Sequence, residues 1–189
     1  MLSENTTTSV ENMILFRRII REEDLEHIRE ITFSSGYFSE EEIAVAEEVA
    51  LAGLKDGSSS GYEFIFADCC KQCEPKTAGY ACFGKIPGTA DSFDLYWLAV
   101  HQKYRAQGIG RKLIAQVEKC VTSYKGRKLF VETSSRAQYS STRGFYRACG
   151  YEEEARLQDY YQQGEDQVVF SKTFLSQNFS EQEPMSMRV

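Results

Sequence analysis

Apolar positions along the chain change period several times, and each change marks an element. Residues 13–19 are an apolar-rich run that predicts a first strand. Over 22–31, Leu25, Ile28 and Ile31 recur at helical spacing. Asp24 sits near the start of that helix, where a carboxylate suits the dipole. Ser39 followed by Glu42 is a capping-box pattern ahead of a second helical run that reaches Leu54, and the glycines of 57–61 stop it. The runs 62–69 and 77–83 read as hairpin strands, with the polar segment 70–76 and its Pro75 as their loop. A turn at 85–92 carries Pro87 and Gly88, and 93–100 is the fourth strand. Helix 108–123 lines up Ile109, Leu113, Val117 and Cys120 or Val121 on one face. Strand 128–133 and a helix over 139–149 follow, the helix closed by Gly150. Strands 151–160 and 167–173 flank a turn at 163–166.

The order β-α-α-β-β-β-α-β-α-β-β predicts one α/β (α+β) domain with a mixed sheet over 13–175. Residues 1–12 read as a disordered N-terminal segment and 176–189 as a polar C-terminal tail. No internal repeat or linker divides the 189 residues. With 42% hydrophobic and 26% charged residues, the chain can bury a sizeable core. A net charge of -6 argues against a general nucleic-acid binder and fits a small cationic substrate. No apolar run approaches the roughly 18 residues of a membrane helix, and residues 1–9 lack the apolar core of a secretion signal. Cys82, Cys120 and Cys149 lie in apolar context as small core residues, so a reducing cytoplasmic setting is expected. Cys69, Cys70 and Cys73 cluster at a strand end. Zinc needs four ligands, and His27 and His101 fall near no zinc pattern, so the cluster reads as reactive or incidental, with no metal expected.

The candidate chemistry lies in Asp94-Leu95-Tyr96-Trp97-Leu98-Ala99-Val100, followed by Arg105-Ala106-Gln107-Gly108-Ile109-Gly110-Arg111. A strand runs into a turn with two glycines and a helix begins at once. Glycine lets backbone approach a ligand, and the free N–H groups of a new helix favour an anion. This turn has neither the Gly-x-Gly-x-x-Gly order of a dinucleotide site nor the Gly-Lys-Ser/Thr of a P-loop. Arg105, Arg111 and Lys112 either add charge-assisted contacts to phosphates or form a solvated basic turn. In Phe145-Tyr146-Arg147-Ala148-Cys149-Gly150-Tyr151, Phe145 and Tyr151 suit the core. Tyr146 is either a half-buried packing tyrosine or a phenol facing a cleft.

Together, the strand 95–100, the turn 105–110 and the helix end 145–151 resemble the GCN5-related N-acetyltransferase (GNAT) superfamily, over about 13–173. The resemblance implies a mixed, mostly antiparallel central sheet flanked by helices. It implies acetyl-CoA as co-substrate and a primary amine of a small molecule or amino-acid-like compound as acceptor. By that resemblance, the amides of Gln107, Gly108, Ile109 and Gly110, with Arg105 and Arg111, hold the pyrophosphate. The pantetheine arm lies along Leu98, Ala99 and Val100 like an added strand, and an N–H near Leu98 or Ala99 polarises the thioester carbonyl. Tyr146 stabilises or protonates the leaving thiolate.

Direct attack on a thioester needs an unprotonated amine, and an alkylamine has a pKa of roughly 10, so a proton acceptor is required. Asp94 and Glu132 are the two candidates. Strict alternation would put Asp94, Tyr96, Leu98 and Val100 on one side of the fourth strand. Relatives often carry asparagine seven residues before the helix tyrosine and alanine four before it. Here Tyr139 and Thr142 stand there, so the CoA arm is expected to meet Thr142 differently, and Arg143 either reaches the nucleotide end or stays solvated. Tyr37, Tyr96 and Tyr160, with neighbouring Tyr161, are candidates for an aromatic amine pocket. The partner expected is a small-molecule amine, with neither nucleic acid nor membrane, and the protein is expected to be a monomer or homodimer. The rival readings are acylation of a protein or peptide amine, use of another acyl-CoA, and a non-catalytic CoA-binding module.

Overall fold

The computed structural model describes residues 13–71 and 74–174. The two terminal segments and Cys73 therefore lie outside the described residues. The elements are β1 (Met13–Arg17), α1 (Glu23–Ser35), α2 (Glu40–Asp56), β2 (Glu63–Lys71), β3 (Glu74–Lys85) and β4 (Ser92–Val100). They continue as α3 (Ile109–Ser123), β5 (Lys128–Ser134), α4 (Ser140–Ala148), β6 (Glu152–Gln162) and β7 (Glu165–Thr173). All seven strands form one sheet in the order β1-β2-β3-β4-β5-β7-β6. Every neighbouring pair is antiparallel except β4 with β5.

Amphipathic helices cover the sheet because each has one apolar stripe to bury. On one face Ile28 and Ile31 of α1 and Ala46 and Ala50 of α2 pack on Phe64, Phe66, Tyr80 and Cys82. On the other face Leu113, Ile114, Val117 and Val121 of α3 pack on Ile65, Ala81, Phe83, Leu129 and Val131. The capping box expected at α2 is present in both directions, Ser39 Oγ accepting from Glu42 N and Glu42 Oε2 from Ser39 N. A buried ionic node fastens β1 to α1. Arg17 donates through Nη1 to Asp24 Oδ2 at 2.6 Å and through Nε to Asp68 Oδ2 at 2.8 Å. Asp24 is fully buried and also accepts from Arg21 N at 2.8 Å.

Two features of β4 position the site. Between β3 and β4 the pairing runs Cys82 to Trp97 and then Phe83 to Leu95, so Tyr96 is an extra, bulged residue. A one-residue slip reverses every later side chain. Tyr96 meets the Tyr62 ring at 5.5 Å on the α1–α2 face, while Leu98 and Val100 pack against the α3 face. Asp94, Tyr96, Leu98 and Val100 therefore do not share one side, contrary to the alternation expected. Secondly, β5 pairs with β4 only over Ser92–Leu95, and beyond Leu95 the two parallel strands part.

The remaining differences are local. Pro75 belongs to β3, opposite Cys70, instead of to a loop. Its missing N–H is tolerated because β4 joins β3 only from Gly79 onward. The helix expected from 139 begins at Ser140, after a 3-10 turn at Ala137–Tyr139.

Candidate active site

Where β4 and β5 diverge, a cleft of about 1100 Å³ passes between the strands from one sheet face to the other. Its first wall is the edge of β4 from Leu95 to Val100, which has no strand partner on the β5 side beyond Leu95. An unpaired strand edge offers alternating N–H and C=O groups to an extended ligand.

One end of the cleft is the turn into α3. Ala106 (φ 59°) and Gly108 (φ 75°) both take left-handed backbone, which folds the chain back sharply enough to start a helix at Ile109. Gly108 supplies no side-chain cap. Lys112 N bonds to Gly108 O, while the amides of Ile109, Gly110 and Arg111 have no acceptor among the described residues. These amides, with Arg111 beside them, fit the negatively charged pyrophosphate of a CoA molecule. Arg105 is differently employed. Its Nη2 donates to Ser35 O at 2.6 Å, and its guanidinium lies 5.2 Å from the centre of the Tyr37 ring.

Arg105 thereby ties the cradle to the loop between α1 and α2, and that loop crosses the cleft. Tyr139 Oη donates to Tyr37 O at 2.6 Å, Tyr37 Oη lies 3.3 Å from Ser141 Oγ, and the two tyrosine rings are 5.6 Å apart.

Tyr146 reaches the cleft from α4. Its ring is clamped among Phe145, Tyr151 and Phe170, with centroids 5.3, 5.7 and 6.1 Å away. Its hydroxyl makes no hydrogen bond among the described residues. Burial, with a smaller push from Cys149, raises its pKa above the ordinary phenol value, so it holds its proton at neutral pH. Thr133 also lines the cleft, and its buried Oγ1 is unpaired.

On the opposite face of β5, Glu132 points into the cleft, and Gln167 Nε2 donates to its Oε2 at 2.7 Å. Asp94 lies on the same sheet face. Burial first, and then Glu132, pushes its carboxyl up to about 6. Tyr96, Tyr37 and Tyr161 supply aromatic wall. Glu165 lines the cleft but is already paired, accepting from Ser134 Oγ at 2.7 Å, Gln162 Nε2 at 3.0 Å and Arg136 Nη2 at 2.7 Å.

Most expected residues thus converge: Leu98, Ala99, Val100, Arg105, Gly108, Ile109, Gly110, Arg111, Thr142, Tyr146, Glu132, Tyr37 and Tyr96 all line the cleft. Four do not. Asp94 stands just outside the wall, because the strands are still paired at its position. The Gln107 side chain turns back toward Lys103 O at 3.4 Å. Arg143 Nη1 donates to Ser134 O at 2.6 Å and Arg136 O at 3.0 Å, so its guanidinium braces the β5–α4 connection. Tyr160 is turned outward by a bulge in β6 around Asp159 (φ 50°), and Tyr161 occupies the wall in its place. Gln167, Thr133 and the Glu165–Arg136 pair belong to the site without any motif having marked them.

The family model of the acetyltransferase (GNAT) domain matches residues 60–153. No curated protein matches the chain. Among solved structures, a protein from Desulfovibrio desulfuricans assigned as a GNAT-family acetyltransferase is 37% identical, with a TM-score of 0.80 over 85% of this chain and 99% of that one. The ribosomal-protein-S18-alanine N-acetyltransferase of Escherichia coli is 17% identical, with a TM-score of 0.67 over 89% of this chain and 99% of that one. The PaiA N-acetyltransferase of Thermoplasma acidophilum, solved with coenzyme A, is 22% identical, with a TM-score of 0.64 over 86% and 99%. The last two share the fold with this chain, and at these identities they leave its acceptor amine open.

Proposed function

The chain belongs to the GNAT family of acetyltransferases, and from that premise we propose that it transfers the acetyl group of acetyl-CoA to the primary amine of a small molecule or amino-acid-like compound. One observation carries the reading. A single cleft joins three unpaired amides at the start of α3, the open edge of β4, the protonated Tyr146 hydroxyl and the Glu132 carboxylate.

In this reading, Ile109, Gly110 and Arg111 hold the pyrophosphate and the β4 edge from Leu98 to Val100 orders the pantetheine arm. Two reactants held in register gain much of the acceleration available to an acyl transfer. A β4 N–H near Leu98 polarises the thioester carbonyl as the amine nitrogen attacks its carbon. The C–S bond breaks with its electron pair on sulfur, and Tyr146 Oη–H donates to that sulfur. Glu132 accepts the proton lost by the amine, directly or through water. Asp94 acts from behind Glu132. With its carboxyl near 6, it becomes a second negative charge on that face as pH rises through that value. Arg105 holds the crossing loop, a positioning role.

The acceptor side favours a small cation: Glu132 shares the cleft lining with Tyr37, Tyr96 and Tyr161, and Arg136 of that lining is already paired with Glu165. The loop that carries Tyr37 is bonded across the cleft to Tyr139, a bridged site that suits a slender amine better than a folded protein surface.

A panel of amines with acetyl-CoA, read as released thiol, tests the proposal. Turnover on one class of small amines is the expected result. Tight CoA binding with no turnover on any amine would leave a binding module, and turnover on peptide amines alone would move the acceptor to proteins.

A further inference from the structure

Gln167 is a buried amide on β7, only 4% exposed. A buried amide is costly unless its hydrogen-bonding groups are satisfied. Its Nε2 donates to Glu132 Oε2 at 2.7 Å, diagonally across the β5–β7 ladder, in which Gln167 faces Ser134 and Glu132 faces Val169. Gln167 is the one hydrogen-bond donor to Glu132 among the described residues, and Glu132 Oε1 has no partner among them. One carboxylate oxygen is thus held by a rigid strand while the other is left open on the cleft.

We infer that Gln167 is a positioning residue for transfer: it locks the Glu132 carboxylate so that Oε1 meets the incoming amine. This rests on the reading of Glu132 as proton acceptor. The other groups that face Glu132 cannot serve in this way. Asp94 of β4 is a like charge, Tyr96 of β4 belongs to the wall, and Tyr161 of β6, near Glu42 of α2, makes its polar contact with Gln167 and not with the carboxylate. A flexible glutamate in a wide cleft would sample many rotamers, and misplacement by about 1 Å costs on the order of a hundredfold in rate.

The test uses Gln167→Leu, which removes the donor, and Gln167→Glu, which keeps the size and puts a second carboxylate against the first. In Gln167→Leu, kcat/KM for the amine falls about tenfold or more, as loss of a charge-assisted hydrogen bond predicts. KM for acetyl-CoA stays at the wild-type value. On a Glu132→Gln background the same substitution adds no further loss, because both act through one group. In Gln167→Glu the acidic limb of the rate profile moves upward by about one pH unit or more, since two carboxylates sharing a site cannot both ionise freely. The inference is overturned if Gln167→Leu and Glu132→Gln multiply their losses, or if acetyl-CoA and amine parameters fall together. It is equally overturned if the Gln167→Glu profile does not move, a measurement that stands even where Gln167→Leu fails to fold. If Glu132→Gln alone leaves amine turnover intact, the wider reading of Glu132 fails first. If Glu132→Gln is crippling and Gln167→Leu is silent, only the role of Gln167 falls.

Discussion

Replacing Arg17 by methionine tests the ionic joint that fastens β1 to α1. Arg17 lies at the end of β1, with its guanidinium 4.2 Å from the centre of the Phe66 ring, and bridges Asp24 of α1 to Asp68 of β2. Methionine preserves most of the apolar stem but strands Asp24, which is fully buried. Removing one partner of a buried ion pair costs about 3–5 kcal/mol, because the remaining charge is left desolvated. For a domain of this size, that is roughly a 10 °C fall in melting temperature. The sign of the pH dependence is a sharper check than the magnitude. Burial alone would raise the Asp24 carboxyl, but hydrogen bonds from Arg17 and the Arg21 amide outweigh it and hold the group below its usual range. In the wild type its stabilising contribution is complete above the unfolded-state pKa near ~4 and is lost as pH falls through the lower folded value. In Arg17→Met the Arg21 amide and His27 still contact Asp24, but the guanidinium's hydrogen bonds and charge are gone, so the folded pKa rises and acid relieves the variant. The stability gap should therefore be widest near pH 7 and narrow toward pH 4, in urea unfolding followed by circular dichroism. A variant within 1 kcal/mol of wild type at pH 7, or a gap independent of pH, would refute the argument.

Two further substitutions probe the hydroxyls of the cleft. Tyr146→Phe should lower kcat by about a hundredfold, the scale of a lost proton donor, with the CoA dissociation constant by calorimetry unchanged. Equal loss of binding and turnover would make Tyr146 a packing residue. Thr133→Val should stabilise the ligand-free protein by about 1 kcal/mol, seen as a rise of about 3 °C, because the orphaned hydroxyl disappears and the shape is kept. A lowered melting temperature would mean that the hydroxyl is satisfied in solution.

Much of the fold was legible because most elements announce their own ends. The Ser39–Glu42 box fixed the start of α2, and the strand-turn-helix from Asp94 to Arg111 placed the cradle. The bulge at Tyr96 was not legible. A period of two reads Tyr96, Leu98 and Val100 as equivalent, and only the register with β3 shows the slip. Side-chain partners across long sequence distance were equally hidden. The sequence around Arg105 shows only the glycine turn that follows it, while its hydrogen-bond partner, Ser35 O, lies on a distant helix. Gln167 carries no local signal, since its meaning comes entirely from Glu132 on another strand. Asp94 and Glu132, read as alternatives, proved to lie on one sheet face, with only the second in the wall of the cleft.

The brief β4–β5 pairing has a mechanical consequence. The ladder between the two halves of the sheet is four residue pairs long, from Ser92–Leu95 to Lys128–Val131. Past that seam no ladder joins the two strands, the Tyr37–Tyr139 crossing and the packing of α3 span the gap instead, and a molecule bonded along the open edge would act as a temporary rung. The protein's rigidity is then partly on loan from whatever it carries, and a melting curve taken without cargo understates the stiffness at which it works.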